Sequence, residues 1–259
     1  MSLERSINSK FWLMRQYMVD NNINDLGHSL LSIEQLIWII VIVSFIIWIT
    51  RLYLKSNSKK KSQIKKIFAS LIIFLEVIKV IVTGFLYPQY INEYLPLHLC
   101  SFAGFCIIFE ALFEQKRIIN QWWIYIFLFA GILGVVSPSN SYPWFNYYLL
   151  HAYIYHTLIT AYAIIKIASR EAVPTYKGIW QSALLIALLL EPINIINKTF
   201  HTNYFLITNP GDFALCNLIW KYSSPYGEQF YLIAMCFLGF ILFHIIYFVY
   251  KIFKKRSHK

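Results

Sequence analysis

Four polar side chains that could do chemistry stand within or beside long apolar runs of this chain. The stretch YLPLHLCSF carries His98 and Cys100, and YYLLHAYIYHTLITAY carries His151 and His156. A cysteine is nucleophilic as its thiolate, which a helix N-terminus or a neighbouring imidazole favours. An imidazole can also take the thiol proton as a general base. These residue types predict a Cys–His site, and a packing cysteine with hydrogen-bonding histidines is the simpler alternative.

Helical geometry decides which of these side chains can meet. His98 and Cys100 diverge by about 200° around a helix axis, so a base for the cysteine must come from another helix. His151 and His156 are about 140° apart, so both cannot face one point directly. At about 1.5 Å per residue, Cys100, Glu191 and both span-five histidines fall in the outer half of a bilayer, and depth slightly favours His151 as the base.

Other ionisable groups lie within the apolar runs, where they are costly and normally face the interior of a bundle with a partner. Glu76 and Lys79 are spaced i,i+3, which predicts an ion pair and leaves a proton relay as the alternative. Glu191 and Asn194 have the same spacing around Pro192, whose ring frees backbone carbonyls that other groups must satisfy. Glu191 is therefore a further candidate for the site.

The elements that position these residues are predicted from composition. The chain has 259 residues, of which 58% are hydrophobic and 14% charged. About 20 apolar residues cross a bilayer as a helix, and such runs recur along nearly the whole chain. The sequence predicts an all-α, polytopic membrane helical bundle with seven transmembrane helices, over residues 34–54, 67–87, 95–113, 121–138, 144–168, 178–196 and 229–252.

One membrane domain is expected over residues 34–252. A polar outer segment, residues 1–33, precedes it and has the pattern of a short amphipathic helix, with a poorly ordered terminus as the alternative. A basic cytoplasmic tail, residues 253–259, follows it. The polar loop 197–228 is too long for a turn, so we expect an outer cap or a re-entrant segment.

Charge predicts the orientation and argues against a nucleic-acid partner. The formal net charge is +11, and 17 of the 23 basic residues fall in the first, third and fifth connections and the tail. By the positive-inside bias the N-terminus lies outside and the C-terminus in the cytoplasm. Topology and anionic lipid headgroups explain these basic loops better than DNA does. The four cysteines show no zinc-site spacing, so we expect no metal, cofactor or structural disulfide.

Several short motifs resemble one family of membrane proteins. LPLHLCS at 95–101 resembles the signature of the YwaF-like family of bacterial integral membrane proteins. Further pieces of the same resemblance, in the family's order and within about residues 35–250, are GILGVVSP, YP, HTLI, TNYF, NP and SPY. A vertebrate relative of this family is described as a membrane acyltransferase that uses a Cys and a His to acylate ether lysophospholipids. A more distant group, the androgen-induced membrane hydrolases, cleaves branched fatty-acid esters.

The resemblance implies Cys100 as the acyl-accepting nucleophile and His156 as its base, with Thr157 where the family usually has Gly. We therefore expect a lipid acyltransferase or transacylase of the bacterial plasma membrane, with phospholipid or lipoprotein as acyl donor and acceptor. Substrate-positioning roles are predicted for His98, His151, Glu191, Asn194 and Asn203. Water as acceptor makes the protein an ester hydrolase. A proton- or ion-coupled transporter and a non-catalytic assembly partner are the other function classes.

Overall fold

The computed structural model describes residues 11–14, 32–113, 118–136, 142, 145–211 and 213–256. Within these ranges the chain is all-α and contains no β-strand, which confirms the predicted fold class. The α-helices are α1 (Ile33–Leu54), α2 (Ser58–Leu86), α3 (Leu99–Phe113), α4 (Ile118–Val136), α5 (Tyr147–Ala168), α6 (Tyr176–Phe200), α7 (Ala214–Ser223) and α8 (Glu228–Arg256). Short 3-10 helices cover Pro88–Tyr94, Tyr204–Leu206 and Ser224–Tyr226.

The seven predicted spans coincide in position with α1 to α6 and α8. Among the described residues, α1, α2, α5, α6 and α8 are long and apolar enough to cross a membrane. The 3-10 helix Pro88–Tyr94 and α3 meet at 67° and together form a bent sixth candidate, and α4 is apolar over the shorter stretch Trp123–Val136. The orientation of the termini stays a prediction. The predicted N-terminal segment lies outside the described residues apart from 11–14, 32 and 33.

Side-chain caps set several helix starts. The Asn57 side chain accepts the Lys60 N–H at 2.9 Å at the start of α2, and Asn146 accepts the N–H groups of Tyr148 and Leu149 at the start of α5. Such caps satisfy backbone donors that have no partner inside the helix. The helix α2 stops just before Pro88, because a residue that precedes proline disfavours helical backbone angles.

The bundle has two distinct ends. At the cap end lies the cap segment between α6 and α8, described over residues 201–211 and 213–227. At the same end the Leu13 carbonyl accepts a hydrogen bond from Asn146 Nδ2 at 2.9 Å. At the basic end lie the turns between α1 and α2 and between α5 and α6. The helix α5 is mostly buried, whereas α1, α2, α6 and α8 expose many large apolar side chains, as helices that face lipid do.

Glycines allow the central helices to approach closely. A Cβ on Gly131 of α4 would collide with the Thr160 hydroxyl, and one on Gly134 would collide with the His156 ring. On α3, a Cβ on Gly104 would collide with the Tyr155 hydroxyl. Small residues at such contacts let membrane helices pack backbone to backbone. The helices α3 and α4 are therefore fitted to the side chains of α5.

An ion cluster joins four helices at the basic end. Lys166 of α5 pairs with Glu110 of α3, and its Nζ lies 2.7 Å from Glu171 Oε2 in the following turn. The Tyr53 hydroxyl of α1 donates to Glu171 Oε1 at 2.6 Å, and Lys65 of α2 lies 3.8 Å from the same carboxylate. Both Glu110 and Lys166 are buried, and each neutralises the charge of the other.

Candidate functional site

A cavity of about 360 Å³ opens at the cap end of the bundle. Its walls come from α2, α3, α4, α5, α8 and the cap segment 201–227. Five of the seven predicted site residues line it, from three different parts of the chain: His98, Cys100, His151, His156 and Asn203. The structure therefore brings the candidate nucleophile and the candidate bases to one cavity.

Cys100 stands in the first turn of α3, which starts at Leu99. The His98 carbonyl accepts the N–H groups of Ser101 at 2.9 Å and of Phe102 at 3.1 Å, so the helix begins directly after His98. The positive end of the helix dipole therefore lies at the cysteine, and it favours a negative charge there. The His98 ring packs edge-on against Tyr204 at a centroid distance of 4.9 Å, which links the start of α3 to the cap segment.

His156 is held in one tautomer by its own helix. Its Nδ1 lies 2.7 Å from the Ala152 carbonyl oxygen. Because a carbonyl oxygen can only accept, Nδ1 carries the proton and the lone pair of a neutral ring is on Nε2. Gly134 backs directly onto the ring and leaves no space for a side chain there. A neutral imidazole with its proton on Nδ1 can accept another proton at Nε2, as a general base must.

His151 borders the same cavity but also ties two helices together. Its Nε2 lies 3.0 Å from the Leu75 carbonyl oxygen of α2. Its ring stacks on Tyr155, with centroids 5.7 Å apart and planes 14° from parallel. By the same argument the His151 proton is on Nε2, and that nitrogen is committed to α2. The geometry gives His151 a structural contact that His156 does not have.

The predicted ion pair in α2 is present and borders the cavity. Lys79 Nζ lies 2.6 Å from Glu76 Oε2, and both side chains are buried. The Ser101 hydroxyl donates to Glu76 Oε1 at 2.7 Å. Ser101 follows Cys100 directly, so the ion pair anchors the start of α3 next to the thiol. No local pattern predicts this contact, because it joins residues of two helices that are 25 positions apart along the chain.

Asn203 organises the cap segment with its own side chain. Its Oδ1 accepts the Thr208 N–H at 3.1 Å and the Thr208 hydroxyl at 2.8 Å, while its Nδ2 donates to the Asn209 carbonyl at 2.9 Å. Phe205 and Leu206, which line the cavity, have left-handed φ values of 61° and 54°. Such backbone is costly outside glycine and persists only where the surroundings impose it. Asn203 is thus both a lining residue and the support of two others.

The cap segment is also attached to the 3-10 helix that precedes α3. The Tyr204 hydroxyl donates to the Asn92 carbonyl. Burial raises the pKa of Tyr204 to about 12, so the hydroxyl stays protonated and keeps this bond near neutral pH. Asn197 at the end of α6 accepts the Tyr204 N–H at 2.8 Å. The cover of the cavity is therefore fixed to α6 and to the 3-10 helix that precedes α3.

The structure does not bring Glu191 and Asn194 to this cavity. Both lie on α6, which contributes no lining residue, and the Glu191 side chain is exposed on the outside of the bundle. Depth along a helix fixes the height of a residue but not its direction around the axis. The agreement in depth between Glu191 and Cys100 therefore did not place the two residues in one site.

Other lining residues were not singled out from the sequence as candidates. Four tyrosines and Cys216 border the cavity, and apolar side chains of α4 and α8 complete its walls; the tyrosines are Tyr94, Tyr142, Tyr148 and Tyr155. Tyr142 belongs to the YP motif, and the aromatic richness of the chain, 19% of all residues, was the only signal for the other three. Among the described residues, no three His, Cys, Asp or Glu side chains lie close enough together to bind one metal ion.

Comparison with known proteins gives one match. A family model described as the TMEM164 family matches residues 27–250, which is most of the chain. No curated protein matches the chain, and no solved structure does.

Proposed function

The chain belongs to the TMEM164 family of membrane proteins, and we propose that it is a lipid acyltransferase with Cys100 as nucleophile and His156 as general base. One observation carries this proposal: Cys100, at a helix N-terminus, and His156, with its Nε2 lone pair unused by the helix, line the same cavity. The resemblance of LPLHLCS to the YwaF-like family, and that family's acyltransferase relative, supports the same pair of residues.

The reaction runs in two halves through a thioester. His156 Nε2 takes the thiol proton, the Cys100 sulfur attacks the ester carbonyl carbon of the donor lipid, and the ester C–O bond breaks. His156 returns the proton to the leaving oxygen, which gives a lysolipid. In the second half His156 takes a proton from the hydroxyl or amine of the acceptor, which attacks the thioester. The C–S bond breaks, and the proton returns to the sulfur.

We choose His156 over His151 as the base on the motif. Each imidazole has one nitrogen bonded to a carbonyl oxygen: Nε2 of His151 to Leu75 of α2, and Nδ1 of His156 to Ala152 of its own helix. The His151 ring also stacks on Tyr155 and joins α5 to α2, which gives it a structural role that His156 does not share. These contacts and the motif support His156, against the small preference that depth alone gave to His151.

The proposal includes a place and a class of substrate. The cavity lies at the cap end, which the charge of the loops predicts to be the outer side of the bacterial plasma membrane. Donor and acceptor are membrane phospholipids or a lipoprotein, which reach the cavity from the bilayer. A site within the outer half of the membrane suits an ester bond at the boundary between headgroup and hydrocarbon.

Acyl transfer between two defined lipids tests the proposal. The protein is reconstituted with a phospholipid of one acyl length and a lysophospholipid with another headgroup, and the products are identified by mass spectrometry. We expect Cys100→Ser to abolish transfer and His156→Ala to slow it by about 100-fold or more. Cys106→Ser is the matched control, because Cys106 lies on the same helix and is not among the residues that line the cavity. Full transfer by Cys100→Ser would overturn the proposal.

The same assay separates hydrolysis from transfer. If water is the acceptor, fatty acid is released at an equal rate with and without lysophospholipid, and its release still requires Cys100. The acyltransferase predicts instead that lysophospholipid accelerates turnover and carries the acyl group. This outcome decides the acceptor and leaves the nucleophile unchanged.

A proton- or ion-coupled transporter is the second candidate, and it rests on the buried Glu76–Lys79 pair at the cavity wall. Intramembrane ion pairs of this kind occur on proton and ion pathways. Two separate variants, Glu76→Gln and Cys100→Ser, distinguish the two functions. Transport that is lost in the first variant and retained in the second would favour the transporter.

A further inference from the structure

The cavity has an apolar arm for which the proposed Cys–His chemistry has no use. On α4 it is lined by Phe129, Ala130 and Leu133, and on α8 by Met235 and Leu238. The polar lining residues come instead from α2, from α5, from the chain around the start of α3 and from the cap segment. A cavity with one polar wall and one apolar wall suits a ligand whose reactive polar group carries a hydrocarbon tail.

Helix geometry gives this apolar arm a direction. The helices α4 and α5 run antiparallel, with Gly134 opposite His156 and Gly131 opposite Thr160. Phe129 precedes Gly134 by five residues, which places it about 7.5 Å nearer the basic end at 1.5 Å per residue. The arm therefore descends from the level of the His156 ring toward the middle of the bundle.

Phe129 closes the lower end of the arm. Of the residues that line the cavity, it is the one on α4 nearest the basic end, and Leu238 is its counterpart on α8. Beyond it, the buried Phe243 packs edge-on against the Phe129 ring at a centroid distance of 5.8 Å. A Cβ on Gly239 would lie 3.6 Å from the same ring, which is ordinary contact. The ring is thus held between α4 and α8 with closely packed side chains beneath it.

We propose that the apolar arm holds the acyl chain of the donor lipid and that Phe129 sets the acyl length that the protein accepts. This inference rests on the proposed acyl transfer at Cys100. The cavity volume of about 360 Å³ is near the lower end of the range for small-ligand pockets, about 300–1,000 Å³. A single acyl chain with its ester occupies this space, and the rest of the lipid stays outside it. An acyl chain longer than the arm meets the Phe129 ring. Its surplus methylenes cannot enter the arm, so they lose their apolar contacts with its walls.

The test compares acyl-length profiles of three variants. Phe129→Leu deepens the arm, Leu238→Phe shortens it, and Phe237→Leu is the matched control, because Phe237 neighbours Leu238 on α8 but is exposed on the outside of the bundle. Each protein is incubated with an equimolar mixture of phospholipids with a graded series of saturated acyl lengths. Intact-protein mass spectrometry then identifies which acyl groups reach Cys100.

We expect Phe129→Leu to shift the profile toward longer chains and Leu238→Phe toward shorter ones, by about fourfold in relative labelling per methylene that gains or loses contact. Phe237→Leu keeps the profile of the unsubstituted protein. If every variant is acylated with the same acyl-length profile, Phe129 does not set the accepted acyl length, and acyl transfer at Cys100 is unaffected. If no acyl chain is transferred to the unsubstituted protein, both the proposed acyl transfer and the role of Phe129 in acyl length are overturned. If Phe129→Leu does not fold, the opposite shift in Leu238→Phe decides the question.

Discussion

Gly134→Ala tests the position of His156 without changing any group that does chemistry. A Cβ at this position would collide with three atoms of the imidazole ring. To reach the usual carbon separation of about 3.5 Å, the ring must retreat by about 1 Å. A displacement of this size in a catalytic group costs about 100-fold in rate. We therefore expect Gly134→Ala to slow acylation of Cys100 by about 100-fold.

The cost in stability is expected to be smaller than in a tight core. Overpacking a well-packed site costs about 1–3 kcal/mol, but the His156 ring borders a cavity and can turn into it. The unfolding free energy of Gly134→Ala should therefore fall by no more than about 1 kcal/mol. Acylation rates from intact-protein mass spectrometry and thermal unfolding of the same preparation measure the two effects separately.

Two further glycines provide matched controls. Gly84→Ala, where a new Cβ meets only Ile91 at 3.5 Å, should leave both properties unchanged or stabilise the helix slightly. Gly131→Ala overpacks the same α4–α5 contact against Thr160 without touching the His156 ring, so it should lower stability more than acylation. A normal acylation rate in Gly134→Ala would refute the reasoning, because the ring would then have moved without consequence.

The remaining predictions concern the ion cluster and the cap segment. Lys166→Met leaves two carboxylates without their buried cation and should lower the unfolding free energy by about 3–5 kcal/mol. Lys177 is exposed, so Lys177→Met should change the unfolding free energy by less than about 0.5 kcal/mol. Equal losses of unfolding free energy in denaturant titrations of the two variants would contradict the buried pair. Burial opposes ionisation of Glu171, but hydrogen bonds from Lys166 and Tyr53 outweigh it and hold the carboxyl pKa below its ordinary value. Its stabilisation is therefore present above the ordinary carboxyl pKa and lost as pH falls through the folded pKa, so Glu171→Gln should flatten the acid limb of melting temperature against pH, and an unchanged limb would count against the linkage. Asn203→Ala removes the support of two strained cavity residues and should reduce acylation about tenfold while the main bundle keeps its helix content; full acylation would show that the cap segment holds its shape without it.

Helix periodicity and motif spacing predicted a large part of this molecule. Apolar runs located the long helices, because a membrane span needs about 20 apolar residues in sequence. The i,i+3 spacing of Glu76 and Lys79 predicted their ion pair, which depends on one helix alone. The polar residues before a long apolar run placed Cys100 near the start of a helix. The 67° bend between the 3-10 helix Pro88–Tyr94 and α3 was not predicted.

Features that depend on how helices face one another were not predictable from the same patterns. Glu110 and Lys166 are 56 residues apart, and only the packing of α3 against α5 makes them partners. Glu191 was predicted at the depth of Cys100, but its side chain is exposed on the outside of the bundle. The apolar arm below His156 joins single residues of α4 and α8, and no local pattern marks them. Periodicity predicts which residues share one face of a helix. Which other helix that face contacts depends on tertiary packing.

The most direct test of the central claim is to locate the acyl group among the four cysteines. The protein is incubated with a phospholipid of defined acyl length, digested, and mapped by peptide mass spectrometry before and after hydroxylamine, which cleaves thioesters. The account predicts a hydroxylamine-sensitive acyl group on the Cys100 peptide alone, at reduced yield in His156→Ala. An acyl group on the exposed Cys236, or an undiminished adduct in Cys100→Ser, would contradict it.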